Sequence, residues 1–352
     1  PDPSASVGAG QLAETAAGEV QATFGVQQKI PYPGKRSEKA LQTLRLADAT
    51  RAQLDVTELA LAERVRNAYW TYYAARQTVT VITESRSSLV TLRESVNARI
   101  AAAKASREDF LRLENEITRL DQRLATARGR EQASRAALNA LMYRPSGSPL
   151  PEPKGQTPRQ YGSPSSLLSR ANNKHPEVIS AQSRIAAAEN GVRLAKLKKR
   201  PDFTAGLSYS PVSSDGLAPS ANGRDQFMGT LGITLPLWRD KNEAAEKEAA
   251  ANLSAEHSNL AATRSSLQQR IEASSASYDA ELATLALYSG KLIPDAQQAF
   301  DLLLTGYQAE TATFLDVIDA WRQLLNYRLE HEENRGRAGM ADAALRFSAG
   351  LP

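Results

Sequence analysis

The chain has 352 residues, no cysteine and three histidines, so disulfide scaffolds, thiol catalysis and cysteine-based zinc sites are excluded. Its 43 basic and 39 acidic residues nearly balance, which is not the charge pattern of a nucleic-acid-binding protein. Only 6% of the residues are aromatic, and no apolar run approaches the roughly 18 residues that a membrane helix needs. Composition alone therefore predicts a soluble protein.

The first 18 residues are rich in proline, serine, alanine and glycine and lack both the basic and the apolar region of a signal peptide. The chain also begins without methionine, so we expect a processed or trimmed protein. A strand is predicted at Val20–Ile30, because apolar residues alternate with other residues there.

A long helix is predicted from Lys39 to Ile100, a stretch without proline or glycine. An apolar or small residue recurs at every seventh position, at Leu54, Leu61, Ala68, Ala75, Ile82, Leu89 and Val96. After a break at Ala101–Glu108, a second helix is predicted from Asp109 to Met142, with its seam at Leu113, Ile117, Leu120, Leu124 and Ala127. The two helices predict an antiparallel hairpin, and the small seam residues favour a multi-helix barrel over a two-stranded coil.

A proline-rich linker at Tyr143–Pro164 precedes the second half of the chain. There the pattern predicts, in order, a helix, a strand, a loop, a strand and two helices, at Ser165–Lys199, Phe203–Tyr209, Pro211–Arg224, Phe227–Leu237, Asp240–Leu304 and Thr313–Phe347. Alternation places Phe203, Ala205, Leu207 and Tyr209 on one face of the first of these strands.

The second half repeats the first. Ile30-Pro31 matches Leu235-Pro236 at an offset of 205 residues, and Asp109 matches Asp316 at the hairpin turn at an offset of 207. We therefore divide the chain into a first repeat at 1–150, a linker at 151–164 and a second repeat at 165–352. The first repeat lacks the leading helix and strand of the second, so we expect it to be incomplete at its N-terminus.

The predicted strands are few, short and far apart in the chain. Isolated strands cannot satisfy their edges within one subunit, so we expect them to pair between subunits in a sheet closed by oligomerisation. In a closed barrel that spans a membrane, apolar lipid-facing residues alternate with polar lumen-facing residues along each strand, so no long apolar run occurs. The strands therefore revise the expectation of a soluble protein.

This arrangement of strands and long helices in two repeats resembles the TolC-like outer membrane factor family over nearly the whole chain. The most specific tract runs from Leu292-Ile293-Pro294-Asp295-Ala296 through Tyr307 to Phe314–Ala320 and Leu324. The helix that starts at His175-Pro176-Glu177-Val178 and leads to Pro201 is similar to a second family motif. The turn Pro33-Gly34-Lys35-Arg36 resembles that of members that serve metal-cation pumps.

The resemblance implies a mainly α fold with a few strands in a homotrimer. Long helical hairpins would form a periplasmic α-barrel, continuous with a 12-stranded outer-membrane β-barrel to which each protomer gives four strands. It further implies a bacterial outer-membrane location extending into the periplasm. The implied partners are a periplasmic adaptor, an inner-membrane pump of the RND type and outer-membrane lipid.

Site residues are also implied by the resemblance. Asp316 and Asp319 match the aspartates of the periplasmic pore constriction, while Tyr307 and Asp109 match the pair that locks the iris. The hairpin tips that contact the adaptor comprise Ala103, Ser106, Glu310 and Thr313. Two tip glycines of the family are replaced by Ala103 and Glu310, and a bridging arginine by Ala312, which weakens a lock built on that arginine.

Simpler interpretations of these residues stay open. Asp316 and Asp109 lie near helix starts, where acidic residues are common, and Tyr307 fits ordinary seam packing. As i, i+3 neighbours, Asp316 and Asp319 share a helix face, and their six carboxylates in a trimer would favour cations in a pore. Contacts with lipid headgroups are predicted for Lys198, Lys199 and Arg200, and contacts with the membrane interface for Trp238 and Tyr32. The simpler interpretations are a solvated helix end for the basic residues and ordinary packing for the aromatic ones.

No catalytic, metal or cofactor site is predicted, because His175, His257 and His331 are far apart and no phosphate loop or nucleophile elbow occurs. The leading hypothesis is a passive exit duct of a tripartite efflux system. Two alternatives remain: a type I protein secretion duct of the same fold, and a soluble coiled-coil scaffold or adaptor. The alternating strands favour a duct over a scaffold.

Overall fold

The computed structural model describes residues 2–9, 14–15, 18–20, 22–155, 157–213 and 223–352. The described part is mainly helical, with α1 Lys35–Ala101, α2 Arg107–Leu141, α3 Pro164–Lys174, α4 Pro176–Leu197, α5 Arg239–Leu287, α6 Ile293–Gln308 and α7 Phe314–Ser348. Its strands are β1 Ser4–Ala9, β2 Glu14–Thr15, β3 Gly18–Val20, β4 Ala22–Ile30, β5 Asp202–Ser210, β6 Val212–Ser213 and β7 Gln226–Thr234. The predicted hairpin helices and the strand at Phe203–Tyr209 are confirmed within a few residues.

One compact unit comprises 1–53 and 179–263 and contains both sheets. Its larger sheet is antiparallel in the order β1-β4-β5-β7, while β2, β3 and β6 form a small second sheet. In the larger sheet, directly paired residues are Val7 with Phe24, Phe24 with Tyr209, and Tyr209 with Phe227. Since opposed residues point to the same side, this row of apolar and aromatic side chains lies on one face.

Two expectations about the strands are wrong. The strands are not isolated, because β4 and β5 each have a neighbour of the same chain on both sides. The strand expected to be missing from the first repeat is β1, which lies inside the N-terminal segment that is rich in small residues. Serine, alanine and glycine have weak strand propensity, so pairing with β4 rather than local preference decides this segment.

Strand boundaries differ from prediction at two places. β7 ends at Thr234 rather than Leu237, because Pro236 has no N–H to continue the ladder. The predicted strand at 20–30 is divided between β3 and β4, and its residue 21 lies outside the described residues, as do 214–222 of the predicted loop at 211–224.

The other compact unit comprises 54–178 and 264–352. Its main core joins the α1–α2 hairpin to α6 and α7 through fully buried residues such as Leu89, Val96, Leu113 and Val317. The whole predicted seam of α2 is buried, whereas on α1 the seam is buried at Ile82, Leu89 and Val96 but exposed at Leu54 and Leu61. A second core packs α3 against α5 and α7.

Two predicted helices are interrupted. The stretch predicted as one helix at Ser165–Lys199 is divided into α3 and α4 at His175, because the residue before Pro176 avoids helical backbone. His175 is fully buried, and its Nδ1 accepts a hydrogen bond from the Glu177 N–H at 3.2 Å. The long helix that follows the second strand passes through one π-helical turn at Tyr288–Leu292, next to Pro294 in the first turn of α6.

The compact units do not follow the repeats, because each unit is assembled from parts of both halves of the chain. The division into 1–150, 151–164 and 165–352 stays a sequence-based prediction. Among the described residues, no helix contains a stretch sufficiently long and apolar to cross a lipid bilayer.

Candidate functional site

The two hairpin turns have the same backbone geometry. Ala103 and Glu310 both adopt left-handed backbone, with φ of 60° and 63°, although neither is glycine. Three residues later, Ser106 and Thr313 each cap the following helix. The 207-residue repeat is therefore preserved in backbone conformation at the tips.

The aspartates at the helix starts complete two capping boxes. In the first, the Asp109 N–H donates to Ser106 Oγ at 3.1 Å, and the Ser106 N–H donates to Asp109 Oδ2 at 3.2 Å. In the second, the corresponding bonds between Asp316 and Thr313 are 3.3 and 3.1 Å, and Thr313 Oγ1 also donates to Asp316 Oδ2 at 2.6 Å. These hydrogen bonds from Thr313 lower the pKa of Asp316 and keep its carboxylate charged.

Tyr307 links the two hairpins through an aromatic and cationic cluster. Its buried ring lies 5.5 Å from the ring of Phe314 and 4.8 Å from the guanidinium of Arg99, which projects from the end of α1. Arg99 also donates to the carbonyl oxygens of Gln308 at 3.0 Å and Lys104 at 3.3 Å. Arg99 therefore connects both turns, a role that the sequence patterns did not indicate.

Tyr307 and Asp109 are close without being hydrogen-bonded to each other. Within the described residues, the Tyr307 hydroxyl has no hydrogen-bond partner, and the Asp109 carboxylate accepts instead from the Ser106 N–H. Burial raises the pKa of Tyr307, and the Asp109 carboxylate raises it further, while Arg99 acts in the opposite direction. The predicted pair is brought together, but the direct bond of a lock is not formed in this conformation.

Glu310, in place of a tip glycine, takes part in ion pairs across the tips. Its carboxylate lies 3.3 Å from Lys104 Nζ and 4.0 Å from the Arg99 guanidinium. A side chain at this position therefore adds an attraction between the hairpins that glycine cannot supply.

A second ionic link lies further along the helices. Arg322 bonds to Glu116 at 2.5 Å and to Asp319 at 2.8 Å, and Arg119 bonds to the same Glu116 at 3.3 Å. Glu116 is only 6% exposed. Sequence patterns missed Arg322 and Glu116, because they lie 206 residues apart. Arg322 gives Asp319 an arginine partner although Ala312 occupies the position of the family's bridging arginine.

The residues predicted at the membrane interface lie in the unit that contains the sheets. The Arg200 guanidinium lies 5.9 Å from the ring of Tyr32. Asp202, which sequence patterns missed, accepts from the Tyr32 N–H at 3.0 Å and pairs with Lys35 at 2.7 Å. These contacts join the start of β5 to the start of α1.

The remaining predicted interface residues are less closely linked. Lys199 pairs with Glu246 at 3.1 Å, Lys198 is exposed, and Trp238 is 77% exposed just after the last strand.

Comparison with known proteins identifies the family. Residues 167–351 match the model of the family described as "Outer membrane efflux protein". This match spans more than half of the chain. The chain belongs to the outer membrane efflux protein family. It is therefore an efflux channel protein of the bacterial outer membrane and not an enzyme, as the TolC-like motifs predicted.

The similarity to known proteins extends over most of this outer membrane efflux protein. It is 24% identical, over 88% of its own length and 72% of the relative, to the cobalt-zinc-cadmium resistance protein CzcC of Cupriavidus metallidurans. Its fold matches VceC of Vibrio cholerae with a TM-score of 0.80 and 21% identity, covering 99% of this chain and 86% of VceC. It also matches the open state of MtrE of Neisseria gonorrhoeae, with a TM-score of 0.79 and 20% identity over 100% and 80% of the two chains.

Proposed function

We propose that this protein is one protomer of a trimeric exit duct that passively passes substrates across the outer membrane. The sheet β1-β4-β5-β7 supports this assembly, because β1 and β7 are its outer strands in the described part of the chain and would pair with neighbouring protomers. Three such sheets would close a barrel of twelve strands. The sheet face with exposed Val26, Leu207 and Leu231 would contact lipid, and the serine- and glycine-rich face would line the lumen.

The long helices would form the periplasmic α-barrel and end at the turns around Ala103, Ser106, Glu310 and Thr313. We propose that these tips bind a periplasmic adaptor, which connects the duct to an inner-membrane pump of the RND type. The pump would supply the energy, since the duct itself needs no catalytic group.

We propose that Asp316 and Asp319 line the narrowest part of the pore. Both carboxylates are exposed in the single chain, at 59% of the side chain for Asp319. Three copies would bring six carboxylates together, which attracts cations and opposes closure unless the charges are bridged. Arg322 is positioned to provide such a bridge to Asp319.

Tyr307, Asp109 and Arg99 are proposed to hold the two hairpins together next to this constriction. Opening would separate the hairpins and expose the Tyr307 ring, which is 6% exposed in the present conformation. In the unit that contains the sheets, Tyr32, Lys198, Lys199, Arg200 and Trp238 are proposed to contact lipid headgroups or the membrane interface.

Metal cations are the proposed cargo class. The relative CzcC is named for cobalt, zinc and cadmium resistance, and the acidic constriction would favour cations. A type I protein secretion duct of the same fold is the alternative. Co-purification of the protein with a metal-cation pump rather than a protein exporter would separate the two.

The exposed acidic pair at the start of α7 carries the pore assignment, and planar-bilayer conductance of the trimer tests it. Asp316→Asn/Asp319→Asn should reduce cation selectivity several-fold, because it removes both charges while the new amide at position 316 keeps an oxygen that can accept from the Thr313 N–H. Asp279→Asn, at an exposed position on α5, is the matched control and should conduct like the wild type. Unchanged selectivity in the double variant would remove both aspartates from the constriction.

A further inference from the structure

The linker between the repeats covers a cleft in the unit that contains the hairpin turns. This linker cleft has a volume of about 610 Å³ and lies between α1, the end of α2, linker residues 150–154 and α7. Its wall is largely apolar, with contributions from Val65, Trp70, Leu138, Met142 and Leu150. The volume is within the range of about 300–1,000 Å³ that is typical of small-molecule sites.

The linker is held in place over the cleft by a tyrosine. Tyr69 Oη donates to the Lys154 carbonyl oxygen at 2.8 Å and accepts from the Lys154 N–H at 2.9 Å. The neighbouring Pro153 is buried. Because the covering segment is fixed by both backbone groups of one residue, the cleft is pre-formed, which reduces the ordering cost of binding.

Four basic side chains line the cleft, and its carboxylates do not balance them. The basic residues are Arg66, Arg144, Lys154 and Arg346, against Glu152 and Asp342. Glu152 pairs with Arg76, which does not line the cleft, at 3.2 Å. Asp342 accepts from Tyr161 Oη at 2.5 Å and lies 3.8 Å from Arg346.

Arg66 is the half-buried member of the three lining cations without a close carboxylate, since Arg144 and Lys154 are exposed. No described carboxylate lies within 4 Å of its guanidinium, nor of the cationic groups of Arg144 and Lys154. Burial lowers the pKa of Arg66, and the charge of Arg346 lowers it further, while Asp342 only partly offsets them. The half-buried cation is therefore in an unfavourable environment that an incoming anion would relieve.

We propose that the linker cleft binds a small amphipathic anion. An apolar ring or short-chain body would occupy the space beside Trp70 and Leu138, and one carboxylate, sulfonate or phosphate group would bond to Arg66. The guanidinium of Arg66 offers such a group charge-assisted hydrogen bonds, whereas Arg346 already bonds to the Pro352 carbonyl oxygen and lies close to Asp342. The lining residues do not include those proposed for the pore constriction, so the site adds ligand binding to the duct function.

Two fluorescent probes with the same ring system test the proposal on the trimer in non-ionic detergent. The anion 8-anilinonaphthalene-1-sulfonate should bind saturably, whereas its uncharged analogue N-phenyl-1-naphthylamine should bind about tenfold more weakly, because it lacks the sulfonate. Arg66→Gln should weaken binding of the sulfonate about tenfold and leave the uncharged probe unaffected. Equal affinities of the wild type for both probes would overturn the proposed charge recognition.

Control variants separate the site from general charge effects. Arg128→Gln, at an exposed position on α2, should leave sulfonate binding unchanged. Lys154→Gln, at an exposed position of the linker, should weaken sulfonate binding without a folding defect. Sulfonate binding that persists in both Arg66→Gln and Lys154→Gln would overturn the proposal. Conductance does not enter this test, so failure of the pore assignment would leave its outcome unaffected.

Discussion

The two hairpin tips share one backbone and carry opposite charge. Both turns place a non-glycine residue in left-handed conformation and both close a capping box three residues later. Residues 99–112 of the first tip contain four basic and two acidic side chains, whereas the equivalent residues 306–319 contain three acidic and no basic side chains. The duplicated turn has kept its backbone and diverged in charge.

This divergence explains why the ionic contacts run between the tips. Lys104 and Arg99 of the first hairpin approach Glu310 of the second, so the first tip supplies the basic side chains that the second lacks. Helix starts and turns are thus set by short local patterns, while the attachment of one hairpin to the other depends on side chains far apart in sequence.

The largest effect is expected from Arg322→Met. It leaves the nearly buried Glu116 with Arg119 alone, so we expect a loss of about 2 kcal/mol in the free energy of unfolding. Arg112→Met in the first hairpin removes only an exposed i, i+4 pair with Glu108 and should cost about 0.3 kcal/mol. Thermal unfolding followed by circular dichroism measures both. Similar losses in the two variants would contradict the cross-hairpin role of Arg322.

An intermediate effect is expected at the caps. Ser106→Ala and Thr313→Ala each remove a hydroxyl that accepts from a helix N–H, and each should cost about 1 kcal/mol. Because the two capping boxes share the same pair of hydrogen bonds to backbone N–H groups, the losses should be of similar size, and the loss at Thr313 should be the larger because its hydroxyl also donates to Asp316. A much larger loss at one turn would show that the tips are not equivalent in backbone energetics.

The smallest effect is expected at the left-handed positions. Ala103→Gly relieves the cost of positive φ, partly offset by the greater freedom of glycine when unfolded, so a gain of about 0.5 kcal/mol is expected. Glu310→Gly relieves the same cost but loses the pairing with Lys104 and Arg99, so no net gain is expected. An equal gain at both positions in thermal unfolding would show that the Glu310 ion pairs contribute nothing to stability.

Periodicity predicted the parts of the fold that depend on local pattern. The hairpin helices, the face of β5 with Phe203 and Leu207, and the break at the tips followed from spacing alone. β1 was missed because small residues carry no strand signal and its pairing with β4 is a tertiary contact. The break at His175 had a local signal in the following proline, but the helical pattern on both sides concealed it.

The sequence predicted where the tip residues lie, but it did not predict which side chains they contact. Capping roles for Asp109 and Asp316 follow from a hydroxyl residue three positions earlier. The Arg99–Tyr307 and Arg322–Glu116 contacts join residues about 200 positions apart, and nothing in either local sequence selects one partner among many arginines.

The π-helical turn at Tyr288–Leu292 has a consequence for how the two halves stay aligned. The spacing between equivalent positions is 205 residues at the strand ends and 207 at the tips, so the second long helix has gained length between them. A π turn takes up one additional residue by widening a single turn, so it accounts for one of the two residues gained. One inserted residue is thus absorbed in mid-helix, and the Thr313–Asp316 capping box still forms at the second tip as the Ser106–Asp109 box does at the first.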